Sequence, residues 1–277
     1  MADATAQTRP ARWKFGIMSN LLATPIEQTP ATAKAWGFDG IEITLSNKKH
    51  VEQWAEVAFR KAFRERLADA RCEVPSFCLG LLNGGNLGNE SPEVAERAAT
   101  LIRTMITAAP DVGARLLLVP FFGHADLKGP AKVDLLVDRI LPLAEEATKA
   151  KISLALETTL PAPELLRLLA RVGSPALSIY YDLANPVWQG YSPAKEIREL
   201  ARVISQVHLK DNVADPTGWG GFRIVGLGNG RVDFTAAKEA LRDIRFEGWL
   251  VMETAVMNGD HRTSAQTQLA FARRHFR

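Results

Sequence analysis

The sequence predicts an α/β protein that folds as a single (β/α)8 TIM barrel, and three observations favour that fold. Eight short apolar runs alternate with longer segments that have helical periodicity. The runs are apolar at nearly every residue, as in LLLVPFF, which is typical of parallel strands that are buried on both faces. The chain has 277 residues, and a barrel of this kind needs about 250 residues as one domain.

The predicted strands and helices follow one another in strict alternation. The strands are placed at residues 15–18, 40–43, 74–79, 115–120, 152–157, 177–182, 203–208 and 249–253. The helices are placed at residues 25–36, 51–71, 92–112, 132–150, 161–172, 193–201, 234–244 and 262–276. Ser91 and Ser192 precede a proline that suits the first position of a helix. Gly37, Gly113 and Gly173 suit the left-handed position that follows a helix end.

Alternating strands and helices also occur in open, doubly wound sheets, so the closed barrel needs a separate argument. Open sheets that bind dinucleotides carry a glycine-rich fingerprint after the first strand, where this chain has Met18, Ser19 and Asn20. Ionisable residues also end four different strands of this sequence. A barrel brings the ends of all its strands to one mouth, whereas an open sheet distributes them along an edge. We therefore prefer the closed barrel.

Composition and charge limit the kinds of partner. The net charge of +3 is too small to indicate a nucleic-acid surface. No apolar run reaches the roughly 18 residues of a membrane span, and the first residues lack the apolar core of a signal peptide. The two cysteines, Cys72 and Cys78, indicate buried thiols in a reducing compartment. We therefore expect a cytoplasmic protein with neither nucleic acid nor membrane as a partner, and we leave homo-oligomerisation open.

The domain organisation follows from the same observations. We predict a disordered tail at residues 1–13 and a catalytic barrel domain at residues 14–277. The tail is polar and precedes the first apolar run, whereas the eight strand and helix pairs fill the rest of the chain. One domain therefore carries any function.

Four ionisable residues close the last four predicted strands, and they form the candidate site: Glu157, Asp182, His208 and Glu253. Buried carboxylates are costly unless they are paired or bound to a cation. Oxygen-rich donor sets with one nitrogen suit Mn²⁺, Mg²⁺ or Co²⁺, and suit Zn²⁺ less well. We predict that these four side chains bind one divalent metal ion, with Mn²⁺ as the preferred ion.

The predicted metal has open positions for adjacent hydroxyl and carbonyl oxygens of a sugar-like substrate, whose enediolate it would stabilise. Glu157 and Glu253 end strands on different sides of the mouth, so one can remove a proton and the other can return it. This predicts an isomerase or epimerase of a ketose or ketose phosphate. The alternative is a metal-dependent lyase or dehydratase that acts on a keto-sugar, an inosose or an oxidised glycoside, and a third hypothesis is a barrel without activity.

Further polar residues near the predicted mouth are candidate substrate contacts: Asn185, Lys210, Arg223, His124 and Glu42. The loop NGGNLG after the third strand has the composition of a lid. The glycine-rich segment at residues 226–234 has two interpretations. Its backbone N–H groups could cradle an anion, or it could be a tight turn that delivers Asp233 as a helix cap.

The motifs GFDGIEI, LALE, YDLANP, VHLKD, GLGNGRVDF and GWLVMET resemble the xylose isomerase-like barrel superfamily, in particular its sugar phosphate isomerase/epimerase group. Within that group the chain looks like the L-ribulose- or L-xylulose-5-phosphate 3-epimerases. The resemblance implies that Glu157, Asp182, His208 and Glu253 are metal ligands and that the two glutamates are the acid/base pair. The DNA-repair endonucleases of the superfamily need additional histidines for a trinuclear zinc site, and Asn185 replaces one of them.

Overall fold

The computed structural model describes residues 13–276, apart from the side chain of Trp219. Within that range the strands are β1 (Trp13–Met18), β2 (Gly40–Thr44), β3 (Phe77–Cys78), β4 (Leu116–Phe121), β5 (Ser153–Thr158), β6 (Leu177–Asp182), β7 (Ile204–Leu209), β8 (Asp211–Ala214), β9 (Phe222–Val225) and β10 (Gly248–Met252). Eight of these strands are parallel and close into a barrel in the order β1-β10-β7-β6-β5-β4-β3-β2. The predicted (β/α)8 barrel is confirmed.

Helices cover the outside of the barrel. The α-helices of the described residues are α1 (Thr29–Ala35), α2 (Lys48–Ala55), α3 (Val57–Ala70), α4 (Pro92–Ala108), α5 (Pro130–Ala150), α6 (Ala162–Val172), α7 (Asn185–Trp188), α8 (Pro193–Leu200), α9 (Phe234–Asp243) and α10 (His261–Phe276). Ser91 caps α4 by accepting a hydrogen bond from the Val94 N–H at 3.3 Å, whereas the Ser192 side chain makes no capping hydrogen bond to α8. Gly113 and Gly173 have positive φ angles of 86° and 64° after helix ends, as expected.

The predicted helix at residues 51–71 is wrong, because the chain forms two helices there. Glu56 has an extended backbone between α2 and α3. The buried guanidinium of Arg60 donates from Nη1 to the carbonyls of Trp54 at 2.8 Å and Ala55 at 2.6 Å. These hydrogen bonds satisfy carbonyls at the end of α2 that have no partner within the helix. A side chain that reaches back from the next helix leaves no trace in the hydrophobic periodicity.

Other differences from the sequence prediction are smaller. The predicted tail at residues 1–12 lies outside the described residues, and Trp13 is already the first residue of β1. The third strand is only two residues long. The helix predicted to end at residue 112 ends its α-helical part at Ala108 and continues as a 3-10 turn over Ala109–Val112. The antiparallel pair β8 and β9 was not predicted.

The main core lies between the barrel and its helices. Trp54 is 1% exposed, and its ring meets those of Phe59, Phe63 and Phe77 edge-on at centroid distances of 5.0, 4.9 and 4.9 Å. A smaller cluster fills the inside of the barrel and includes Tyr180. Both cysteines are buried, free thiols, as predicted. None of the described helices is long and apolar enough to span a bilayer.

Candidate functional site

The four predicted donor residues meet at the carboxyl ends of neighbouring strands. Glu157 lies in β5, Asp182 ends β6, His208 lies in β7 and Glu253 directly follows β10. The parallel register pairs Asp182 with His208, and pairs His208 with Val251. Each residue offers one donor atom, and these atoms all lie within 4.8 Å of one another. The structure therefore brings together the side chains that the sequence singled out, in a group that could hold a metal ion.

Two donor atoms of this group are buried and have no hydrogen-bond partner: Asp182 Oδ2 and His208 Nδ1. The other Asp182 oxygen, Oδ1, accepts hydrogen bonds from the N–H groups of Ala184 and Asn185, both at 2.7 Å. His208 Nδ1 lies 3.1 Å from Glu253 Oε2 without hydrogen-bond geometry. Buried polar atoms normally have a partner. The group therefore fits a divalent cation, which would use these free electron pairs.

The two glutamates have opposite pKa shifts. Burial raises the pKa of the Glu157 carboxyl to about 7. Burial also acts to raise the pKa of Glu253, but the Lys210 ammonium and the His208 imidazole outweigh it and lower that pKa to about 2. Lys210 Nζ donates to Glu253 Oε1 at 2.8 Å. At neutral pH the protein groups alone keep Glu253 ionised and allow Glu157 to exchange a proton.

Negative charge is concentrated around His208. Burial acts to lower the pKa of its imidazole, but the carboxylates of Glu42, Glu157 and Glu253 outweigh burial and raise the pKa well above its usual range. Burial raises the pKa of the Asp182 carboxyl. Burial thus disfavours the charged carboxyl of Asp182, whereas the neighbouring carboxylates favour the charged imidazole of His208. A divalent cation would offset the negative charge.

A cavity of about 830 Å³ opens above the donor group. Its floor includes Glu157, His208 and Glu253, and part of its wall comes from β9 and the loop that precedes it. Both apolar and polar side chains line it: Met18, Thr44, Ser46, Cys78, Asn83, Phe122, Asp215, Thr217, Phe222 and Ile224. This volume lies within the range of small-molecule sites, which is roughly 300–1,000 Å³.

The candidate substrate contacts fall into two groups. Asn185, Lys210 and Arg223 line the cavity. His124 is exposed in a 3-10 turn after β4 and does not line it. Glu42 is 0% exposed and lies below His208 instead of facing the cavity. The structure thus places His124 and Glu42 away from the position expected for a substrate contact.

The glycine-rich segment binds an internal anion, and the expectation that it cradles an external one is wrong. The N–H groups of Gly228 and Gly230 donate to Asp211 Oδ2 at 3.0 and 2.8 Å, and that of Val232 donates to Asp211 Oδ1 at 3.1 Å. A Cβ atom on Gly230 would lie 2.1 Å from Asp211 Oδ1, so this carboxylate requires glycine there. Asp211 is 0% exposed and occupies the place that a phosphate would need.

The second interpretation of the same segment is confirmed. Asp233 Oδ1 accepts a hydrogen bond from the Ala236 N–H at 2.9 Å at the start of α9. The side chain therefore caps the helix, as a residue with a short acceptor does before a helical run. The segment joins the end of the β8–β9 pair to α9 and fixes both ends.

The loop after β3 is held in place, which argues against a lid. Asn86 is 0% exposed, and its Nδ2 donates to the Pro120 carbonyl at 2.7 Å. Arg139 Nη1 donates to the Leu87 carbonyl at 2.8 Å. Only Asn83, in the first half of this loop, lines the cavity among the residues of NGGNLG. Buried anchors at both Asn86 and Leu87 oppose an opening motion.

Three interior polar residues were missed by sequence reasoning: Ser76, Tyr180 and Gln206. Tyr180 and Gln206 lie two residues before Asp182 and His208 on the same strands. Since side chains two residues apart in a strand point to the same face, this spacing could have found them. They lie below the donor group, where they contact Glu42.

Curated proteins similar to this chain include two sugar or cyclitol phosphate epimerases. An L-ribulose-5-phosphate 3-epimerase, UlaE, of Escherichia coli (strain ATCC 8739) is 26% identical over 235 residues, which are 80% of this chain and 79% of that protein. A 2-epi-5-epi-valiolone 7-phosphate 2-epimerase of Actinoplanes sp. is 30% identical over 193 residues, which are 69% of this chain and 70% of that protein.

Solved structures share the fold along almost the whole chain. The 3-keto-D-glucoside 4-epimerase YcjR of E. coli superposes with a TM-score of 0.77 at 18% identity and covers 95% of this chain and 100% of its own. An L-ribulose 3-epimerase superposes with a TM-score of 0.76 at 21% identity and covers 95% of this chain and 94% of its own. The family described as xylose isomerase-like TIM barrel matches residues 30–275. The closed parallel barrel and this match agree, and the chain belongs to the xylose isomerase-like TIM barrel family.

Proposed function

We propose that this protein is a divalent-metal-dependent epimerase or isomerase of a ketose or ketose phosphate. The observation that carries the proposal is the donor group of Glu157, Asp182, His208 and Glu253, with its two unpartnered buried atoms. The names of the curated relatives support the same class of reaction. Mn²⁺ is the ion we propose, because three carboxylates and one imidazole suit it.

The two glutamates of the donor group have distinct parts in the proposed reaction, and all four residues would hold the cation. A bound divalent cation would polarise the substrate carbonyl and stabilise the charge of an enediolate. Glu253, which is ionised, is placed to accept the proton of the carbon next to the carbonyl. Glu157, whose pKa is about 7, is placed to deliver a proton from the other side of the site. Return of a proton to the opposite face of the carbon inverts it.

We propose that two cavity residues hold the substrate. Lys210, 7% exposed, lies 2.8 Å from Glu253 Oε1 and 3.7 Å from Asp182 Oδ2. Its charge is therefore available to orient hydroxyl groups close to the reacting carbon. Arg223 lies at the outer wall, where its Nε is 3.3 Å from Asp215 Oδ2. We propose it as the contact for a distal hydroxyl or phosphate group.

Proton exchange with solvent tests the proposal directly. The protein with Mn²⁺ is incubated in D₂O with L-ribulose 5-phosphate, L-ribulose, D-fructose and D-allulose, and deuterium uptake is measured by NMR and mass spectrometry. We expect deuterium at the carbon next to the carbonyl and a new epimer or isomer. The Glu157→Gln variant is the control, and its rate should fall by about 10²–10⁴-fold. Absence of exchange across the panel, with Mn²⁺ demonstrably bound, would refute the proposal.

Elimination remains the alternative chemistry for the same donor group, and no feature of the described residues favours it. The mass of the product separates the two reactions, because elimination of water or of an alcohol lowers the mass of the sugar and epimerisation does not. A product lighter than its substrate would replace the proposed epimerase with a lyase or dehydratase.

A further inference from the structure

Below the donor group lies a set of four buried polar side chains, which we call the Glu42 cluster: Glu42, Ser76, Tyr180 and Gln206. Their exposed fractions are 0%, 0%, 1% and 2%. These four side chains take no part in the proposed proton transfer and are not among the proposed metal ligands. Burying a carboxylate and three polar groups inside a barrel is costly unless every group has a partner. The cluster therefore calls for an explanation beyond packing.

The hydrogen bonds within the cluster have a defined direction. Gln206 Nε2 can only donate, and it donates to Ser76 Oγ at 2.6 Å and to Tyr180 OH at 2.8 Å. The two hydroxyl groups therefore turn their own protons to Glu42 Oε2, at 2.5 Å from Ser76 and 2.8 Å from Tyr180. Glu42 Oε2 thus accepts hydrogen bonds from both hydroxyl groups, which hold the carboxyl group in a fixed orientation.

The second oxygen of Glu42 is left for His208. Glu42 Oε1 lies 2.9 Å from His208 Nε2. With Glu42 as the acceptor of this hydrogen bond, His208 Nε2 is the donor. The tautomer is thereby fixed from below. His208 Nδ1 then presents its electron pair on the opposite edge of the ring, toward Glu253 Oε2 at 3.1 Å and Glu157 Oε1 at 3.5 Å.

An electron pair of Nδ1 that faces two carboxylates is unfavourable unless a proton or a metal cation lies between them. Nδ1 has no hydrogen-bond partner, and the Tyr180 ring, at a centroid distance of 4.3 Å, limits rotation of the imidazole. In metal sites a carboxylate commonly accepts the second N–H of a ligating histidine and so sets its orientation and basicity. The contacts of His208 with Glu42 on one edge and with the donor group on the other match that arrangement.

From these contacts we propose that Glu42 is a positioning residue for the cation site. It forms a hydrogen bond with His208 Nε2 and directs Nδ1 to the metal, and the other members of the Glu42 cluster hold its carboxyl group in place. Glu42 touches neither the cavity nor a substrate. This inference rests on the proposed function only in that it requires a divalent cation at the donor group, and it does not require epimerase activity.

The experiment compares metal affinity in two matched variants. Glu42→Gln removes one buried carboxylate inside the barrel. Glu196→Gln is the control, since Glu196 is also buried at 6% exposure and also accepts from a tyrosine hydroxyl, that of Tyr181 at 3.0 Å. Its partners lie outside the cavity. Mn²⁺ binding is measured by calorimetry and by electron paramagnetic resonance on the folded, metal-stripped proteins, without substrate.

We expect the Kd for Mn²⁺ to rise by about 10–100-fold in Glu42→Gln, as for loss of a partner that orients a ligand, and to stay within about twofold in Glu196→Gln. Equal affinity of Glu42→Gln and the wild type would overturn the inference. A wild-type protein that binds no Mn²⁺ would overturn it as well. A wild type that binds Mn²⁺ but exchanges no deuterium would instead refute the proposed epimerase and leave this comparison intact.

A second measurement does not depend on Glu42→Gln and keeps the inference testable even where that variant fails to fold. The imidazole nitrogens are labelled with ¹⁵N in the protein loaded with diamagnetic Mg²⁺, and the His208 signals are identified by their loss in His208→Gln. We expect a protonated Nε2 and an unprotonated Nδ1. A proton on Nδ1 would overturn the inference.

Discussion

Asp182 and Asp211 are buried carboxylates near the same mouth, and their surroundings differ. They are 3% and 0% exposed. Both oxygens of Asp211 accept backbone hydrogen bonds, including those from Gly228, Gly230 and Val232. Asp182 Oδ1 is satisfied in the same way, but its Oδ2 has no hydrogen-bond partner. The difference separates a carboxylate that holds a loop from one that is available to a cation.

Buried ionisable residues at one site differ in whether all their electron pairs have a hydrogen-bond partner. A buried charge with every electron pair occupied contributes to folding. One with an electron pair left over costs free energy until a ligand uses it. Asp182 and His208 are of the second kind, whereas Asp211 is of the first kind. Changes to Asp182 should therefore lower metal affinity without loss of stability, whereas changes to Asp211 should lower stability and leave metal binding intact.

The largest effect is expected for Asp182→Asn. The substitution removes a charge from the donor group and keeps the shape of the side chain. We expect the Kd for Mn²⁺ to rise by more than about 100-fold, beyond the range typical of a residue that only orients a ligand. Without metal the variant should unfold at the same denaturant concentration as the wild type or a higher one, because a buried charge is lost. Unchanged Mn²⁺ affinity would break the comparison.

Asp211→Asn is the matched change in the other group. Its amide would place N–H donors against the N–H groups of Gly228 and Gly230, which now donate to Oδ2. We expect the free energy of unfolding to fall by about 2–4 kcal/mol, since hydrogen bonds to a buried charge are lost. Denaturant unfolding measures it. The folded fraction should still bind Mn²⁺, and a variant with wild-type stability but no Mn²⁺ binding would contradict the assignment.

The pH dependence of metal binding sharpens the distinction further. The pKa of Glu157 is about 7, against 4.5 ordinarily, so between these values the folded protein holds a proton that the unfolded chain has released. Stability of the metal-free protein should therefore fall as pH rises through this window. Mn²⁺ replaces that proton, so the increase in Tm that it causes should be larger at about pH 8 than at about pH 5.5.

The control for this pH effect is Glu157→Gln, which has no titrating group at that position. Its metal-free stability should vary less with pH than that of the wild type in the same window. If both proteins show the same pH dependence, another group is responsible and the raised pKa of Glu157 is not the cause.

The smallest effect is expected for Arg223→Ala. The guanidinium side chain is 62% exposed and pairs with Asp215 at 3.3 Å, and such surface pairs contribute less than about 1 kcal/mol to stability. We expect an unchanged Tm and Mn²⁺ affinity, with an increase in KM for a phosphorylated ketose that is larger than for the free ketose. An equal change in KM for both substrates would contradict the proposal that Arg223 contacts the phosphate group.

The sequence alone was sufficient to predict much of this protein. The alternation of apolar runs with helical segments predicted the barrel, and the ends of four runs predicted Glu157, Asp182, His208 and Glu253 as one group. Both predictions rest on local regularities, since strand and helix periods are properties of neighbouring residues. In a closed barrel the end of every strand necessarily lies at the same mouth, so no further contact had to be known.

The tertiary structure alone decided which polar residue meets which partner. Glu42 reaches His208 across 166 positions of sequence, and Asp211 meets Gly230 across 19. Sequence reasoning therefore placed Glu42 with the substrate and left the glycine-rich segment with two interpretations, an anion cradle and a turn that delivers a helix cap. Hydrogen bonds between distant segments depend on how strands are set side by side and on which electron pairs are already occupied. No periodicity along the chain records either of these.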